Sequence, residues 1–269
     1  MLIKRDRNAD PLRIGVIGRG AIGGPVADHL AADLIPGARL VSVLRRNPLE
    51  PHDVADVRSM LESRCDLVVE AAGHEALESY GLPLLEAGVD LLVLSVGALA
   101  APQLESEFRK PHAGRVLLST GAIGGLDILR AHKMAGTLRS LKITSTTAPA
   151  VIAPLVDGPQ RRQIETATYV MTVATGSARD ISLRFPRNAN VAATLALATL
   201  GLDEVEVEMR VDPMGSTKHH SIEATVVGGS VTLDTTSHLS SANQNTSAVT
   251  PYAVIRMLTD LTSPFVVGV

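Results

Sequence analysis

The sequence predicts an α/β protein, with a mostly parallel sheet carrying helices on both faces and then a smaller α+β domain. Short apolar runs alternate with helical patterns over the first half of the 269-residue chain, as in βαβ units. A glycine-rich turn follows the first of these runs directly. Beyond Gly125 the runs become rich in Thr and Val, which suits a sheet with one exposed face.

The glycine-rich turn is Gly18-Arg-Gly20-Ala-Ile-Gly23, between a buried strand predicted at 14–17 and a helical pattern. Three glycines at this spacing are a weak signal alone, but the strand–turn–helix context supports them. Gly18 allows the tight turn, Gly20 the approach of a pyrophosphate, and Gly23 the close packing of helix and strand. The helix N-terminus offers N–H groups to phosphates. We therefore predict a Rossmann-type dinucleotide-binding domain; the alternative is a glycine turn that binds nothing.

The other elements of this domain follow in order. The first helix is expected to place Val26, Leu30 and Leu34 on one face. The later predicted strands occupy residues 39–44, 67–71, 90–95 and 115–119. The predicted helices between them occupy residues 52–64, 75–87 and 102–108. Ligands bind outside the carboxyl ends of such strands, so the residues that follow each strand are candidates for the site.

The dinucleotide-binding domain is assigned to residues 1–125 and the α+β substrate domain to residues 126–246. Helices are predicted in the second domain at 126–134 and 191–200, and strands at 141–147, 167–174, 205–211, 222–227 and 230–236. The segment 247–269 contains a last helical pattern with one apolar face. We expect this helix to pack back on the dinucleotide-binding domain.

Composition excludes several function classes. Aromatic residues make up only 2% of the chain, with no Trp, which argues against base stacking with single-stranded nucleic acid. The net charge of −3 argues against a polyanionic partner. Cys65 is the single cysteine, so neither an internal disulfide nor a thiolate metal site is expected. No apolar run is long enough for a membrane helix, and residues 1–8 lack an apolar signal core. We expect a cytoplasmic protein without a metal.

Arg45 and Arg46 stand about 20 residues after Gly23, where NAD-selective folds place an acid for the ribose 2′-hydroxyl. No Asp or Glu ends the second predicted strand, and an arginine there suits a 2′-phosphate. The predicted cofactor is therefore NADP or NAD, and we expect the protein to accept NADP. The alternative is two solvated loop arginines, with the cofactor preference set elsewhere.

Several blocks resemble the L-aspartate dehydrogenases. They are Gly18-Arg-Gly-Ala-Ile-Gly23, Ser119-Thr-Gly-Ala-Ile-Gly-Gly-Leu-Asp127, Gly176-Ser-Ala-Arg179, Phe185-Pro-Arg-Asn-Ala-Asn-Val-Ala-Ala193, Asp212-Pro213 with His220 following, and Asn245-Thr-Ser247. They follow the family's order and spacing across nearly the whole chain, and the block that begins at Phe185 is the most specific. The resemblance implies a two-domain oxidoreductase with a histidine active site, for which we expect a homodimer. It also implies oxidation of L-aspartate through iminosuccinate to oxaloacetate and ammonia, the reverse reductive amination, and a link to NAD biosynthesis.

His220 matches the family's catalytic histidine, whose imidazole can take a proton from an amine or a water and return it. His219 is its rival, but adjacent side chains of a strand point to opposite faces, so only one can face the pocket. Because the two side chains point to opposite faces, His219 and His220 are not expected to bind one metal ion together. The alternative is that both are polar surface residues. The predicted substrate ligands are Asn188, Lys218 and His219. Arg179 and Arg187 are further candidates for the dicarboxylate, and they and Lys218 could equally be surface charges.

The resemblance places Asn190 beside the nicotinamide, although Asn190 also suits a helix N-cap. Small residues at 122–124 would let a flat ring lie against backbone; the alternative is an ordinary crossover turn between domains. The residues predicted to bind the cofactor are Gly18, Gly20, Ala21, Ile22, Gly23, Arg45, Arg46, Ala72, Gly73, Ala122, Ile123, Gly124 and Asn190.

Two stretches depart from the family pattern. Thr217-Lys-His-His220 stands where the family often has Arg-Asn-x-His, and Ser241-Ala-Asn-Gln-Asn-Thr-Ser247 where it has Pro-Glu-Asn-Pro-Lys-Thr-Ser. Both bear on the substrate pocket and leave the cofactor and the reaction class unchanged. Among enzymes, the alternative function is a related reductase of another amino or imino acid. From a different class, the alternative is a non-catalytic NADP-binding sensor that kept the fold. His220 and the two asparagines weigh against a sensor, which needs no proton donor at the hydride site.

Overall fold

A computed structural model of the protein describes residues 10–241 and 243–267. Contacts divide these residues into two units. The first unit comprises 10–95, 103–119 and 250–267, and the second comprises 96–102 together with the other residues from 120 to 249. The division predicted from sequence differs in three details, because it placed the boundary at 125, kept 96–102 in the first domain and began the C-terminal segment at 247 rather than 250.

The first unit is built on a parallel sheet. Its strands are β1 (Leu12–Ile17), β2 (Ala38–Leu44), β3 (Asp53–Val54), β4 (Leu67–Glu70), β5 (Asp90–Val93) and β6 (Val116–Leu118). The helices that alternate with them are α1 (Gly23–Ala31), α2 (Val57–Glu62), α3 (His74–Glu86) and α4 (Pro102–Phe108). The strand order is β3-β2-β1-β4-β5-β6. The order reverses between β1 and β4, which is where sheets of this kind bind ligands. The predicted Rossmann-type α/β fold is confirmed.

The second unit is an α+β arrangement. Its helices are α5 (Leu126–Met134), α6 (Pro149–Ile152), α7 (Gly158–Glu165), α8 (Ala178–Arg184) and α9 (Asn190–Ala198). Its strands are β7 (Leu138–Thr147), β8 (Met171–Ser177), β9 (Glu206–Val211), β10 (Thr217–Val226), β11 (Gly229–Ser240) and β12 (Asn243–Ser247). They form a sheet in the order β12-β11-β10-β7-β9-β8. Within this second sheet, β7 and β9 are the only parallel pair among the described strands, and the other pairs are antiparallel.

The last helix, α10 (Thr250–Thr262), belongs to the first unit. Its Val254 and Leu258 are completely buried in the same apolar cluster as Val26 and Leu30 of α1. Apolar side chains four residues apart lie on one face of a helix, so this face of α10 contributes to the core that supports β1 and α1.

Two predicted helices were partly wrong. The segment 52–64 is not one helix, because Asp53–Val54 pairs with the end of β2 as β3. The helix begins only after Asp56, whose carboxylate caps it by accepting from Ser59 N. The first helix ends before Leu34, which is 63% exposed.

The chain turns out of α1 at Asp33, which has a φ of +54°. Ile35 rather than Leu34 then enters the core. The short helices α6, α7 and α8 and the strand β12 were not predicted, and neither were the first residues of β10.

Cys65 is buried, with its Sγ 3.4 Å from Ser42 Oγ. Burial raises the pKa of its thiol. In the part of the chain described, no helix is long and apolar enough to cross a membrane. Within the same residues, no group of three His, Cys, Asp or Glu side chains could hold a metal ion.

Candidate active site

The glycine turn between β1 and α1 has a geometry that only glycine permits. Gly18 has a φ of +87°, and a Cβ there would lie 2.9 Å from the carbonyl oxygen of Ala71. A Cβ on Gly23 would lie 2.0 Å from the carbonyl oxygen of Gly18. A Cβ on Gly20 would meet nothing within 4 Å, so this part of the turn is open to a ligand. Ile22 provides no side-chain cap to α1, and its first turn holds no acid, which leaves the positive helix end for a phosphate.

A cavity of about 460 Å³ lies beside this turn, at the carboxyl ends of β1, β2 and β4. Its size falls within the range of small-molecule sites. The predicted cofactor ligands that line it are Gly18, Gly20, Arg45, Arg46 and Ala72. Ala21, Ile22 and Gly23 lie at the start of α1, and Gly73 directly precedes α3. The residues of the first unit therefore fit a dinucleotide with its phosphates on the turn.

Arg19 also lines this cavity, and the sequence analysis did not single it out. Its guanidinium pairs with Glu50 at 2.6 Å and with Asp28 at 2.7 Å. Arg45 pairs with Asp53 at 3.4 Å. Asp28 lies in α1, Glu50 in the loop after β2 and Asp53 in β3, so none of the acids that pair with these arginines stands at the end of β2.

The buried face of the second sheet changes from apolar to polar along neighbouring strands β7 and β10. Ile143 pairs with Ile222, and both are buried. Two residues further along, Ser145 pairs with His220. The polar residues that continue this face are Ser145, Thr147, Lys218 and His220, all buried. Charged and polar side chains are seldom gathered on a buried face, so this end of the face is a candidate reaction site.

His220 is 2% exposed, and its Nδ1 lies 2.8 Å from Ser145 Oγ. Burial lowers the pKa of its imidazole to about 3, helped by the charge of Lys218 and by His219. His219 points to the opposite, half-exposed face of β10, where its Nε2 lies 3.3 Å from Asp234. Burial lowers the pKa of Lys218 to about 8. The strand therefore groups Lys218 with His220 and separates His219 from them.

Asn188, two residues before α9, and Asn190, the first residue of α9, have different surroundings. Asn188 is 4% exposed, and neither its Oδ1 nor its Nδ2 has a protein partner. An unsatisfied buried amide costs about 1–3 kcal/mol, so Asn188 is suited to a polar ligand. Asn190 is not the N-cap that the sequence suggested: Ala189 holds that position, and Asn190 Oδ1 accepts from Gly97 N at 2.8 Å.

The turn at 120–125 precedes α5 and contains the remaining predicted cofactor ligands. Ile123 is buried, whereas Gly124 is exposed and a Cβ there would meet nothing within 4 Å. Gly121 and Gly125 flank them with φ values of +60° and +73°. A Cβ on Gly125 would lie 2.4 Å from Leu233. The turn therefore depends on its glycines, and Ala122 lies inside it.

Two family models match the chain. The one described as "Aspartate dehydrogenase, C-terminal" matches residues 127–261, and "Homoserine dehydrogenase, NAD binding domain" matches residues 18–113. L-Aspartate dehydrogenase of Pseudomonas aeruginosa is 37% identical over 261 residues, which cover 92% of this chain and 96% of that protein. The corresponding protein of Ralstonia pickettii is 35% identical over 262 residues, with the same coverage. The chain belongs to the aspartate dehydrogenase family.

Membership of the aspartate dehydrogenase family confirms the resemblance seen in the sequence blocks. It makes the protein an oxidoreductase that uses a nicotinamide dinucleotide. The fold agrees, because the crystal structure of aspartate dehydrogenase from Thermotoga maritima has a TM-score of 0.73 at 24% identity, covering 96% of this chain and 99% of that one. A hyperthermophilic archaeal homoserine dehydrogenase has the same general fold, with a TM-score of 0.54 at 12% identity and coverage of 93% and 98%.

The first departure from the family pattern, Thr217-Lys-His-His220, forms the start of β10. It therefore contributes Lys218 to the buried polar face. The second departure, at 241–247, lies partly outside the described residues, which exclude Ala242 and the side chains of Gln244 and Asn245.

Sequence reasoning missed three polar residues, two on the buried polar face of the second unit and one in the cavity of the first unit. Ser145 and Thr147 sit in a strand whose Thr- and Ser-rich pattern looked like ordinary sheet surface. Arg19 stands between Gly18 and Gly20 of the glycine turn. This position in the sequence could have identified it as a residue beside the cofactor. Arg179, a candidate for the dicarboxylate, instead pairs with Asp203 at 2.6 Å and donates to Ala100 O.

Proposed function

We propose that this family member oxidises L-aspartate at Cα, giving iminosuccinate and then oxaloacetate and ammonia, and that it catalyses the reverse reductive amination. When bound, the cofactor supplies the hydride acceptor or donor of its nicotinamide ring. The observation that carries the proposal is His220, a buried imidazole held by Ser145 where the face of β10 turns polar.

In the proposed reaction the imidazole of His220 accepts a proton from the water that adds to the imine and then donates it to the nitrogen. From the protonated imine, a water oxygen bonds to Cα, the C=N double bond becomes a C–N single bond, and one water proton passes to the imidazole. The imidazolium returns this proton to the nitrogen. The C–N bond then breaks, ammonia leaves, and the C=O of oxaloacetate forms as the neutral imidazole takes the remaining hydroxyl proton and releases it to solvent. The lowered pKa keeps the ring neutral and able to accept a proton. The carboxylates of a bound dicarboxylate would raise that pKa towards the range that favours general base catalysis.

Lys218 and Asn188 are proposed as the substrate ligands. Lys218 lies on the same buried face as His220 and offers a cation to a carboxylate. The amide of Asn188 has hydrogen-bonding capacity that the protein leaves unused. His219, also predicted as a substrate ligand, is directed to the other face of β10, which argues against a role beside His220.

The proposed cofactor is NADP or NAD, with NADP bound at least as well. Arg45 and Arg46 line the cavity at the end of β2, as a 2′-phosphate site requires, and Arg19 adds a third guanidinium. The proposed contacts to the nicotinamide half come from Ala122, Ile123, Gly124 and Asn190. A homodimer, a cytoplasmic location and a role in NAD biosynthesis complete the proposal and rest on the family relationship.

The test is consumption of NADPH and of NADH by the purified protein with oxaloacetate and ammonia, beside a panel of other oxo acids. The proposal expects oxaloacetate to give the highest kcat/KM and to require ammonia. A higher kcat/KM with another oxo acid would favour the related reductase. Tight NADPH binding without turnover of any oxo acid would favour the sensor. Mass measurement by light scattering tests the dimer.

A further inference from the structure

Glu70 is a buried carboxylate at the switch point of the first sheet. It is the last residue of β4, between β1 and β5, and is 0% exposed. A carboxylate removed from water is costly unless hydrogen bonds compensate it. Glu70 directly precedes Ala71 and Ala72, which line the cavity. The reaction proposed above does not use its carboxylate.

Four donors surround this carboxylate. Its Oε1 accepts from Ala72 N at 2.9 Å, from Gly73 N at 3.0 Å and from Ser95 Oγ at 2.9 Å. Its Oε2 accepts from Ser95 N at 3.0 Å. Every partner is a donor, which matches an ionised carboxylate with acceptors only. Gly73 also precedes α3, so the positive end of that helix stabilises the negative charge.

These bonds tie Ser95, two residues after the end of β5, to the residues that follow β4. The segment 71–73 in turn supports the glycine turn: a Cβ on Gly18 would lie 2.9 Å from both Ala71 O and Ala72 Cβ. Ala71 and Ala72 line the same cavity as Gly18 and Gly20. The position of the turn that receives the phosphates therefore depends on a segment that Glu70 holds by two backbone N–H groups.

We propose that Glu70 is a positioning residue for the dinucleotide, acting through the backbone of 71–73 without touching the cofactor. The inference depends on cofactor binding and not on the identity of the substrate or on His220. A rigid segment lowers the entropic cost of binding, so loss of Glu70 should appear in cofactor affinity and not in the chemical step.

The main variant is Glu70→Gln, which keeps the shape but places an amide NH2 against a donor at one of the two oxygen positions. The expected result is an increase of about tenfold or more in the Kd of NADPH and NADH, measured by cofactor fluorescence. The KM for the cofactor should rise with it, while kcat at saturating cofactor stays within a few-fold of the parent. Ser95→Ala removes one of the four bonds and should give a smaller increase.

Ser42→Ala is the matched control. Ser42 is equally buried in the same sheet, but its hydroxyl contacts Cys65 Sγ and does not line the cavity. This variant should keep the parent Kd. Parent-like cofactor affinity in Glu70→Gln would overturn the proposal, as would an equal loss of affinity in Ser42→Ala. If Glu70→Gln does not fold, Ser95→Ala decides: a Kd equal to that of the parent would also overturn it.

Discussion

Ser145 and His220 are directly opposite each other in the antiparallel pair of β7 and β10, and Ser145 Oγ lies 2.8 Å from His220 Nδ1. A neutral imidazole carries one N–H on one of its two ring nitrogens, and the Ser145 hydroxyl can accept from Nδ1–H or donate to a bare Nδ1. When Nδ1–H donates to Ser145, Nε2 carries the lone pair that accepts a proton. Cross-strand pairing thus orients the proposed base.

Ser145→Ala should therefore lower kcat about tenfold, because the ring loses the hydrogen-bond partner that fixes its orientation. Cofactor affinity should remain that of the parent. Ser145→Thr, which restores a hydroxyl, should recover part of the loss. Steady-state kinetics and cofactor titration of both variants provide the measurement, and an unchanged kcat in Ser145→Ala would show that the hydrogen bond has no catalytic role.

His220→Ala should lower kcat by roughly two orders of magnitude or more, the usual contribution of a general acid–base group. NADPH affinity should stay within a few-fold of the parent, because the change removes a proton carrier and no cofactor ligand. His219→Ala is the control in the adjacent position, and it should have much less effect because its side chain lies on the other face of β10. Loss of activity in His219→Ala, or most activity kept in His220→Ala, would reverse the assignment.

Replacing Arg45 and Arg46 together with Ala should weaken NADP more than NAD, because only NADP carries the 2′-phosphate that these guanidinium groups would neutralise. The measurement is the Kd of each cofactor. Arg58→Ala is a suitable control, because this arginine is 89% exposed on α2 and does not line the cavity. An equal loss for both cofactors, or none, would show that the pair does not distinguish them.

The KM for aspartate should rise as the pH increases through about 8, where Lys218 loses its proton. Burial disfavours the charged form and so lowers the pKa of Lys218 below its ordinary value, which means that the cation needed for a carboxylate is present below this pH and absent above it. Lys218→Met should raise KM at pH 7 and abolish the rise. A parent KM that stays flat to pH 9.5 would argue against Lys218 as a substrate ligand.

Much of the fold could be predicted because its signals are local. The glycine turn and the apolar runs of β1, β4 and β5 depend on backbone geometry and burial, and both leave a pattern in a few consecutive residues. The strand β3 could not be predicted, because Asp53–Val54 is strand only through its pairing with the end of β2.

The candidate site likewise contains residues that the sequence could identify and residues that only the fold brings together. His220 was identified by family spacing, and its separation from His219 followed from the two-residue period of a strand. Ser145 and Thr147 left no local signal, because a Ser or Thr on a strand is usually surface. Only the register of β7 against β10 places Ser145 beside His220. The role of Asn190 as a partner of Gly97 depends equally on contact between distant residues.

Leu258→Ala should destabilise the first unit by about 2–5 kcal/mol, the usual cost of deleting a fully buried Leu side chain. Leu258 of α10 is 0% exposed and shares its apolar cluster with residues of α1 and β1, so the cavity left behind would have few ways to collapse. Urea unfolding with and without NADPH measures the change, and the cofactor should restore part of the loss because it binds only the folded unit. Leu34→Ala removes the same side chain from a position that is 63% exposed, and it should change stability by no more than about 0.5 kcal/mol. Similar effects of the two variants would show that α10 adds little to the core of the dinucleotide-binding unit.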